Sequence, residues 1–249
     1  MPFFSLGGLL ILLLQFAFAA HVIRTGRSLL WLLPIILLPV LGCVAYAIFA
    51  LVPDMMGSAG ARRFADDVVN MADPGRAYRE KKRDVEMVGS VQSKKALAEE
   101  CIKRGRFQDA VDLYESAMAG PIGAEDTSIL NGMARAKMLA GDGAGAQAAF
   151  EKLKAADPAA FSADAELDYA RALALQGKND EALRQYEAVL PRFPGEEARC
   201  RYALLLQKLG QSDRARSVFR EIVASVKGAP SYYRRRQSEW VRIARQNLG

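Results

Sequence analysis

Histidine is nearly absent from this sequence, and cysteine is scarce. The 249 residues include one histidine, His21, and three cysteines, Cys43, Cys101 and Cys200. A single histidine beside an apolar run leaves the charged part of the chain without a Ser-His-Asp triad or a Cys-His dyad. The cysteines lack metal-ligand spacing, which argues against a zinc site or a disulfide framework. We therefore predict no catalytic residues, no metal and no cofactor, and an enzyme of unknown type is the least favoured alternative.

Charged side chains are missing from two long stretches at the start of the chain. Residues 2–23 and 28–53 contain no Asp, Glu, Lys or Arg, and Arg24 and Arg27 lie between them. Each stretch reaches the ~20 residues that a helix needs to cross a bilayer. Residues 1–53 are thus predicted to form a transmembrane helical hairpin, because neighbouring helices can satisfy carbonyls freed by Pro34 and Pro39. A secretory signal ending near residues 17–19 and a buried core hairpin are the alternatives.

The apolar hairpin resembles a segment of a known enzyme family. Residues 3–52 are similar to the two-helix membrane segment that precedes the catalytic domain of phospholipase D-type enzymes such as cardiolipin synthases. The resemblance rests on Arg24, Thr25, Gly26, Arg27, Trp31, Pro34, Pro39, Gly42 and Tyr46. Those enzymes use a His-x-Lys-x4-Asp motif, whereas Val22 and Ile23 follow the single histidine here. The resemblance therefore implies a membrane segment without the phospholipase chemistry.

Residues 54–90 differ in composition from the hairpin. They contain seven basic and seven acidic residues. We interpret them as a charged, partly helical linker. The cluster Lys81-Lys82-Arg83 is interpreted as an exposed helical surface, with contact to anionic headgroups as the alternative.

An internal repeat follows the linker. The turn glycines Gly105, Gly141, Gly177 and Gly210 recur at steps of 36, 36 and 33 residues, each followed by alanine five positions later and an aromatic residue four positions after that. In a helix-turn-helix unit the glycine ends the first helix in a left-handed turn, the alanine permits close packing, and the aromatic fills the core. Residues 91–228 are therefore predicted to form four helical pairs, enough for a stable stack.

This pattern resembles the tetratricopeptide repeat. The resemblance implies an all-α solenoid that binds proteins or peptides. Proline is missing at the expected end of unit four, and alanines occupy helix positions where the family often has glycine, namely Ala98, Ala134, Ala170 and Ala203. The fold prediction is therefore all-α: a transmembrane hairpin, a tetratricopeptide-type solenoid and a capping helix.

Residues 229–249 are predicted to form a basic amphipathic capping helix. Residues 91–228 contain 20 basic and 20 acidic residues, so the net charge of +6 comes from Arg24, Arg27 and this C-terminal segment. One face of the helix carries Tyr233, Gln237, Trp240, Ala244 and Leu248. That face is expected to cover the apolar end of unit four, with anionic lipid or nucleic acid as alternative ligands of the arginines. We expect no nucleic-acid partner.

The partner-binding surface is predicted on the groove lined by the first helix of each unit. Repeat position places Lys95, Glu99, Asn131, Arg135, Arg171 and Lys208 there, together with Leu167 and Leu204. Arg135 and Arg171 are expected to lie side by side and to bind a carboxylate or acidic segment. The alternative is that both pair with acids of the scaffold itself, such as Glu99 or Asp168.

These patterns favour a membrane-anchored scaffold or adaptor that binds a protein or peptide, and the groove arginines point to an acidic one. The alternative is an accessory or regulatory subunit for membrane lipid synthesis or envelope biogenesis, suggested by the hairpin. We expect two passes through a bacterial inner membrane, with the hairpin in contact with lipid. The repeat domain is expected in the cytoplasm, and the periplasm is the alternative. Partner identity and oligomeric state are left open.

Overall fold

The protein is described from a computed structural model that covers residues 6–25, 28–47, 73, 75–120, 123 and 126–248, with the backbone alone at 6–10, 29 and 39. The described residues are predominantly helical, and none of them lies in a β-strand. They belong to two compact units, Met1–Arg76 and Ala77–Gly249. The fold class is therefore all-α. Each unit is described by itself.

The second apolar run does not form one continuous helix. The N-terminal unit contains α1 (Leu6–Arg24), a 3₁₀ turn (Leu29–Trp31), α2 (Leu32–Leu37) and α3 (Pro39–Tyr46). The helix breaks at Leu38, where φ is −125° and ψ is 79°. Pro39 explains the break, because its ring disfavours the helical conformation of the preceding residue and it lacks an amide N–H. The expectation of a single long helix over residues 28–53 is wrong for the described part of that run.

A side chain from α1 compensates for this break. In an unbroken helix the carbonyl of Ile35 would accept a hydrogen bond from the amide of residue 39, which is proline. Gln15 Nε2 donates to that carbonyl oxygen over 2.6 Å. Gly42 is also required locally, because a Cβ there would lie 1.8 Å from the carbonyl oxygen of Pro34. The sequence expectation that a neighbouring helix can satisfy a carbonyl freed by proline thus has a specific counterpart here.

The predicted transmembrane hairpin over residues 1–53 finds no support in the lengths and hydropathies of these helices. Among the residues that the structure describes, no helix combines the length and the apolar character required to cross a membrane. At 1.5 Å per residue, α2 and α3 are each far shorter than the ~30 Å hydrocarbon core.

The repeat units fold as four antiparallel helical pairs. Units one to four comprise α5 (Val91–Lys103) with α6 (Phe107–Met118), α7 (Thr127–Leu139) with α8 (Gly143–Ala156), α9 (Ala163–Leu175) with α10 (Asn179–Val189), and α11 (Glu197–Lys208) with α12 (Ser212–Ser225). The four turn glycines all have positive φ, between 72° and 90°. The alanines and aromatics of the motif are buried, which matches their predicted roles in packing. We call the face presented by α5, α7, α9 and α11 the groove face.

Unit one is flanked by a helix from the segment predicted as a linker. This helix, α4 (Arg76–Met87), precedes unit one in the chain. Tyr78 lies beneath the guanidinium groups of Arg104 and Arg106, at 5.5 and 4.9 Å from its ring centroid. Lys81 Nζ lies 3.5 Å from Glu100 Oε2. Lys81 therefore pairs with a carboxylate of unit one, whereas the sequence predicted the cluster Lys81-Lys82-Arg83 as an exposed surface.

Unit four is flanked by two short helices rather than by one. Helices α13 (Ser231–Arg236) and α14 (Ser238–Gln246) meet at Gln237. Gln237, Val241 and Ala244 are buried, and Trp240 packs against the same core. The carboxamide of Gln237 accepts a hydrogen bond from the Glu196 amide at 2.9 Å. The C-terminal segment therefore packs on unit four through the face that contains Gln237 and Ala244.

Candidate functional site

The predicted groove residues lie in two separate pockets of the groove face. The first pocket, of about 450 Å³, belongs to units one and two and contains Lys95, Glu99, Asn131 and Arg135 among its lining residues. The second pocket, of about 500 Å³, extends over units two to four and contains Arg171, Leu204 and Lys208. Leu167 was predicted with this set but is 3% exposed and belongs to the core. The structure therefore divides the predicted set instead of bringing it together.

The first pocket contains both basic and acidic groups. Lys95 Nζ donates to Ser128 Oγ over 2.7 Å, and that hydroxyl in turn donates to Asp126 Oδ1 over 2.6 Å. Glu99 is exposed and forms no ion pair with any residue that the structure describes. Its presence offsets part of the positive charge of Lys95 and Arg135. The first pocket is accordingly suited to a ligand of mixed polarity.

Arg135 and Arg171 meet at one carboxylate of the scaffold. Arg171 Nη1 donates to Asp168 Oδ1 over 2.6 Å, and Arg135 Nε lies 3.7 Å from Asp168 Oδ2. The alternative considered from the sequence, in which both arginines pair with a scaffold acid, is thus the observed arrangement. Asp168 is 7% exposed, and burial raises the pKa of its carboxyl although both arginines act in the opposite direction. Asp168 therefore contacts one arginine from the lining of each pocket.

The second pocket combines exposed apolar groups with basic groups. Leu175 and Leu204 are 53% and 36% exposed and line this pocket together. Arg171, Arg201 and Lys208 also line this pocket, and none of its described lining residues is acidic. Large apolar groups beside several cations favour a ligand that is both apolar and anionic.

Two neighbouring groups hold Arg201 in place beside the second pocket. Its Nε donates to Glu197 Oε1 over 2.8 Å, and its guanidinium lies 5.0 Å from the ring centroid of Trp240. A guanidinium carries five N–H donors, so a contact with one carboxylate oxygen leaves several for a ligand. The C-terminal segment therefore helps to orient a side chain of the second pocket.

Two tyrosines of the site were not predicted from the sequence. Tyr114 and Tyr186 occupy the aromatic position of units one and three, which was assigned to core packing, and they line the first and second pockets. Units two and four have Phe150 and Phe219 at that position. The alternation of tyrosine with phenylalanine was the available signal, because only tyrosine adds a hydroxyl at the end of the ring.

The remaining nucleophilic and metal-binding candidates lie in the core. Cys101 and Cys200 are buried free thiols, and burial raises the pKa of Cys200 to about 11. Within the described ranges, no cluster of His, Cys, Asp and Glu is arranged to hold a metal ion.

Comparison with known proteins supports the repeat assignment. The tetratricopeptide repeat family matches residues 163–188, which correspond to α9 and most of α10 in unit three. A thermophilic TPR protein of Thermus thermophilus superimposes with a TM-score of 0.52 at 16% identity, covering 72% of this chain and 96% of that chain. Nearly identical TPR-like repeats from Podosopora anserina, described as a candidate kinesin light chain, give a TM-score of 0.49 at 22% identity over 63% of this chain and 86% of that one. No curated protein matches the sequence.

These findings concern the repeats and leave the hairpin resemblance without support. The family match lies outside residues 3–52, so the similarity to phospholipase D-type membrane segments stays a prediction. At 16% identity, the superposition on the Thermus thermophilus protein shows the fold alone. Together with the four glycine turns, the family match and the superposition show that the repeat domain is a tetratricopeptide-type α-solenoid.

Proposed function

We propose that this protein is a non-catalytic scaffold that binds a polypeptide partner on its groove face. The observation that carries the proposal is the second pocket, where Leu175 and Leu204 are exposed beside Arg171, Arg201 and Lys208. Exposed apolar side chains grouped with oriented cations are typical of a recognition surface. The partner segment is expected to be acidic, because no carboxylate among the described lining residues opposes its approach to this pocket.

A site-specific cross-linker tests the proposed surface. A photoreactive amino acid at Leu204, in the second pocket, should trap a polypeptide in living cells. The same amino acid at Lys152 is the matched control, because Lys152 is exposed on α8 and lines neither pocket described above. Equal trapping at both positions, or none at Leu204, would contradict the proposal.

A charge reversal tests the role of cations without disturbing the scaffold. Lys208 forms no ion pair with any described residue, whereas Arg135 and Arg171 both contact the buried Asp168. Lys208→Glu should therefore reduce cross-linking from Leu204 while the melting temperature stays unchanged. The double reversal of Arg135 and Arg171 is less informative, since it would place two more carboxylates beside Asp168.

We further propose that residues 1–53 attach the repeat domain to a membrane. The described side chains of this segment bury a core of only Val22, Ile35, Cys43 and Tyr46. Large apolar side chains point outward along all its helices, including Leu13, Phe16, Ile36, Leu37 and Leu41 at 65–82% exposure. Such an apolar exterior is unfavourable in water and is stabilised by lipid or by a protein partner.

The proposed compartment is the inner membrane of a bacterium, with the repeats on the cytoplasmic side. Arg62, Arg63 and the later basic cluster on the C-terminal flank outnumber Arg24 and Arg27 of the short connection, which favours a cytoplasmic flank. Protease added to intact spheroplasts should leave the repeat domain whole. Digestion of the repeat domain without lysis would place it on the outer side of the membrane. In a separate test, cell membranes are sedimented after lysis, and recovery of the full chain in the supernatant would contradict membrane anchoring.

A further inference from the structure

Two buried tyrosines form no hydrogen bond with a described residue, and both line pockets of the groove face. Of the eight tyrosines in the chain, Tyr232 is 72% exposed, so water can serve its hydroxyl. The hydroxyls of five others form a hydrogen bond with a described side chain. The pairs are Tyr46 with His21, Tyr78 with Arg106, Tyr169 with Glu151, Tyr202 with Glu187, and Tyr233 with Glu196. Tyr114 and Tyr186 remain, and neither hydroxyl bonds to a residue that the structure describes.

Both hydroxyls retain some access to solvent although the two side chains are buried. Tyr114 and Tyr186 are only 1% and 3% exposed. Among the described side chains, the one fully buried polar atom without a partner is Asn179 Oδ1, so both phenol oxygens retain some access to solvent. Both side chains line a pocket, and each pocket is a space from which a ligand or water can reach the hydroxyl. A buried polar group without a partner is costly, which indicates that a ligand or water completes each one.

The surroundings of Tyr186 favour an anionic acceptor. Arg171 and Arg201 line the same pocket, and each uses part of its guanidinium on a scaffold carboxylate. Lys208 adds a cation that forms no ion pair with described residues. Burial raises the pKa of Tyr186 to about 12, so the phenol remains protonated at neutral pH and acts as a donor. The first pocket is less selective for anions, because Glu99 lines it.

We propose that the Tyr186 hydroxyl is the donor of a carboxylate subsite for an Asp or Glu side chain of the partner polypeptide, next to a bulky apolar residue that packs on Leu175 and Leu204. The proposal rests on the proposed function and specifies the partner segment it requires. The cations supply attraction for the carboxylate, and the phenol supplies direction, because its ring is fixed by the core. The exposed leucines supply the apolar contact.

The repeat itself provides a variant that removes the hydroxyl and keeps the packing. Phe150 and Phe219 occupy the equivalent position in units two and four, and both are fully buried. Tyr186→Phe is therefore expected to leave the melting temperature unchanged. Tyr202→Phe is the matched control, because the Tyr202 hydroxyl is engaged with Glu187 at 2.6 Å and Tyr202 does not line the second pocket.

The probe is a library of random 12-residue peptides displayed on phage, selected on the full chain in nanodiscs of uncharged lipid. Selected peptides should share Asp or Glu adjacent to Leu, Ile, Phe or Met. Replacing that acid by its amide should weaken Kd about tenfold, as should Tyr186→Phe, whereas Tyr202→Phe should have no effect. The two losses should be less than additive when they are combined, because the amide keeps an acceptor oxygen but no longer forms a charge-assisted hydrogen bond with the phenol.

The outcomes separate this inference from the proposed function. Peptides whose binding is weakened by Lys208→Glu would support the peptide-binding groove. If those peptides lack an acidic residue, or bind the Tyr186→Phe variant as tightly as the unaltered chain, the carboxylate subsite is overturned. Failure to select any peptide above the level for empty nanodiscs would count against both. Selective binding of a fatty-acid anion such as decanoate, with no peptide selected, would assign the pocket to a small amphiphile and also overturn the subsite.

Discussion

The carboxylate of Glu196 offers the sharpest test of how the C-terminal segment is attached to unit four. Glu196 is 1% exposed, and its oxygens accept hydrogen bonds from Ser225 Oγ at 2.7 Å, Tyr233 Oη at 3.1 Å and Arg199 Nη1 at 3.1 Å. Its own amide donates to Gln237. One residue thus links unit four with both α13 and the connection to α14. We expect Glu196→Ala to destabilise the fold far more than the loss of an exposed carboxylate.

The magnitude follows from the groups that the substitution leaves behind. Removing one partner of a buried charged network costs about 3–5 kcal/mol. Arg199 is partly exposed and can turn to water, so the lower end, ~3 kcal/mol, applies here. Glu196→Gln retains an acceptor for the two hydroxyls and loses the charge toward Arg199, which predicts a loss of ~1–2 kcal/mol. Both are large against the ~5–15 kcal/mol that stabilises a domain.

Urea unfolding of the full chain in mild detergent, followed by circular dichroism at 222 nm, measures these losses. The control is Glu86→Ala, because Glu86 and Lys82 lie 3.9 Å apart and both side chains are more than half exposed. We expect that control to cost less than ~1 kcal/mol. Deleting residues 229–249 should also reduce the effect of Glu196→Ala, since Tyr233 and Gln237 are then absent. Equal losses for Glu196→Ala and Glu86→Ala would show that the buried contacts of Glu196 do not stabilise the fold.

Four further outcomes follow from the same structure. Gly141→Ala should cost ~1–2 kcal/mol of unfolding free energy, because φ is 90° there and a Cβ is unfavourable at positive φ; an unchanged urea midpoint would contradict it. Cys200 should react with Ellman's reagent much more slowly in the native than in the unfolded chain, because burial raises the pKa of its thiol to about 11. Burial raises the pKa of the Asp168 carboxyl above its ordinary 3.8, so the folded chain binds a proton at this group more tightly than the unfolded chain does. The group therefore adds stability as the pH falls through the raised pKa. Asp168→Asn should remove that gain, as urea unfolding at several pH values would show. Removing residues 1–53 should leave a helical repeat domain with cooperative melting, because Ala77–Gly249 forms a compact unit of its own.

The repeat fold was accessible from the sequence because one physical requirement recurs four times. Only glycine readily adopts positive φ, and Gly105, Gly141, Gly177 and Gly210 each adopt it at the predicted turn. The course of the second apolar run was harder to foresee. Pro39 indicates a break or a kink, but whether a helix continues depends on a distant donor, and Gln15 is that donor. The interruption at Gln237 likewise depends on its contact with Glu196, which is remote in sequence.

The groove was predictable in position but not in chemistry. Repeat spacing places Arg135 and Arg171 on the same face, and the structure agrees to that extent. Spacing cannot show that the Asp168 carboxylate contacts both arginines. Asp168 lies three residues before Arg171 on α9, and only the packing of the helices decides whether its side chain also reaches Arg135. The tyrosine hydroxyls were missed for a related reason. A buried aromatic was interpreted by its ring, although the oxygen at the end of the ring is the atom that meets the pocket.

Asp168 also determines which groove charges are available to a partner. Its single negative charge offsets one of the two positive charges of Arg135 and Arg171, the two arginines whose regular spacing suggested a central binding cluster. In the second pocket Lys208 forms no ion pair with a described residue, whereas in the first pocket Glu99 offsets part of the charge of Lys95. A partner that contacts both pockets would pass Arg135 and Arg171, whose guanidinium groups already contact Asp168. The acidic group of such a partner is accordingly expected beside Lys208 in the second pocket, and a segment of mixed polarity at the first pocket.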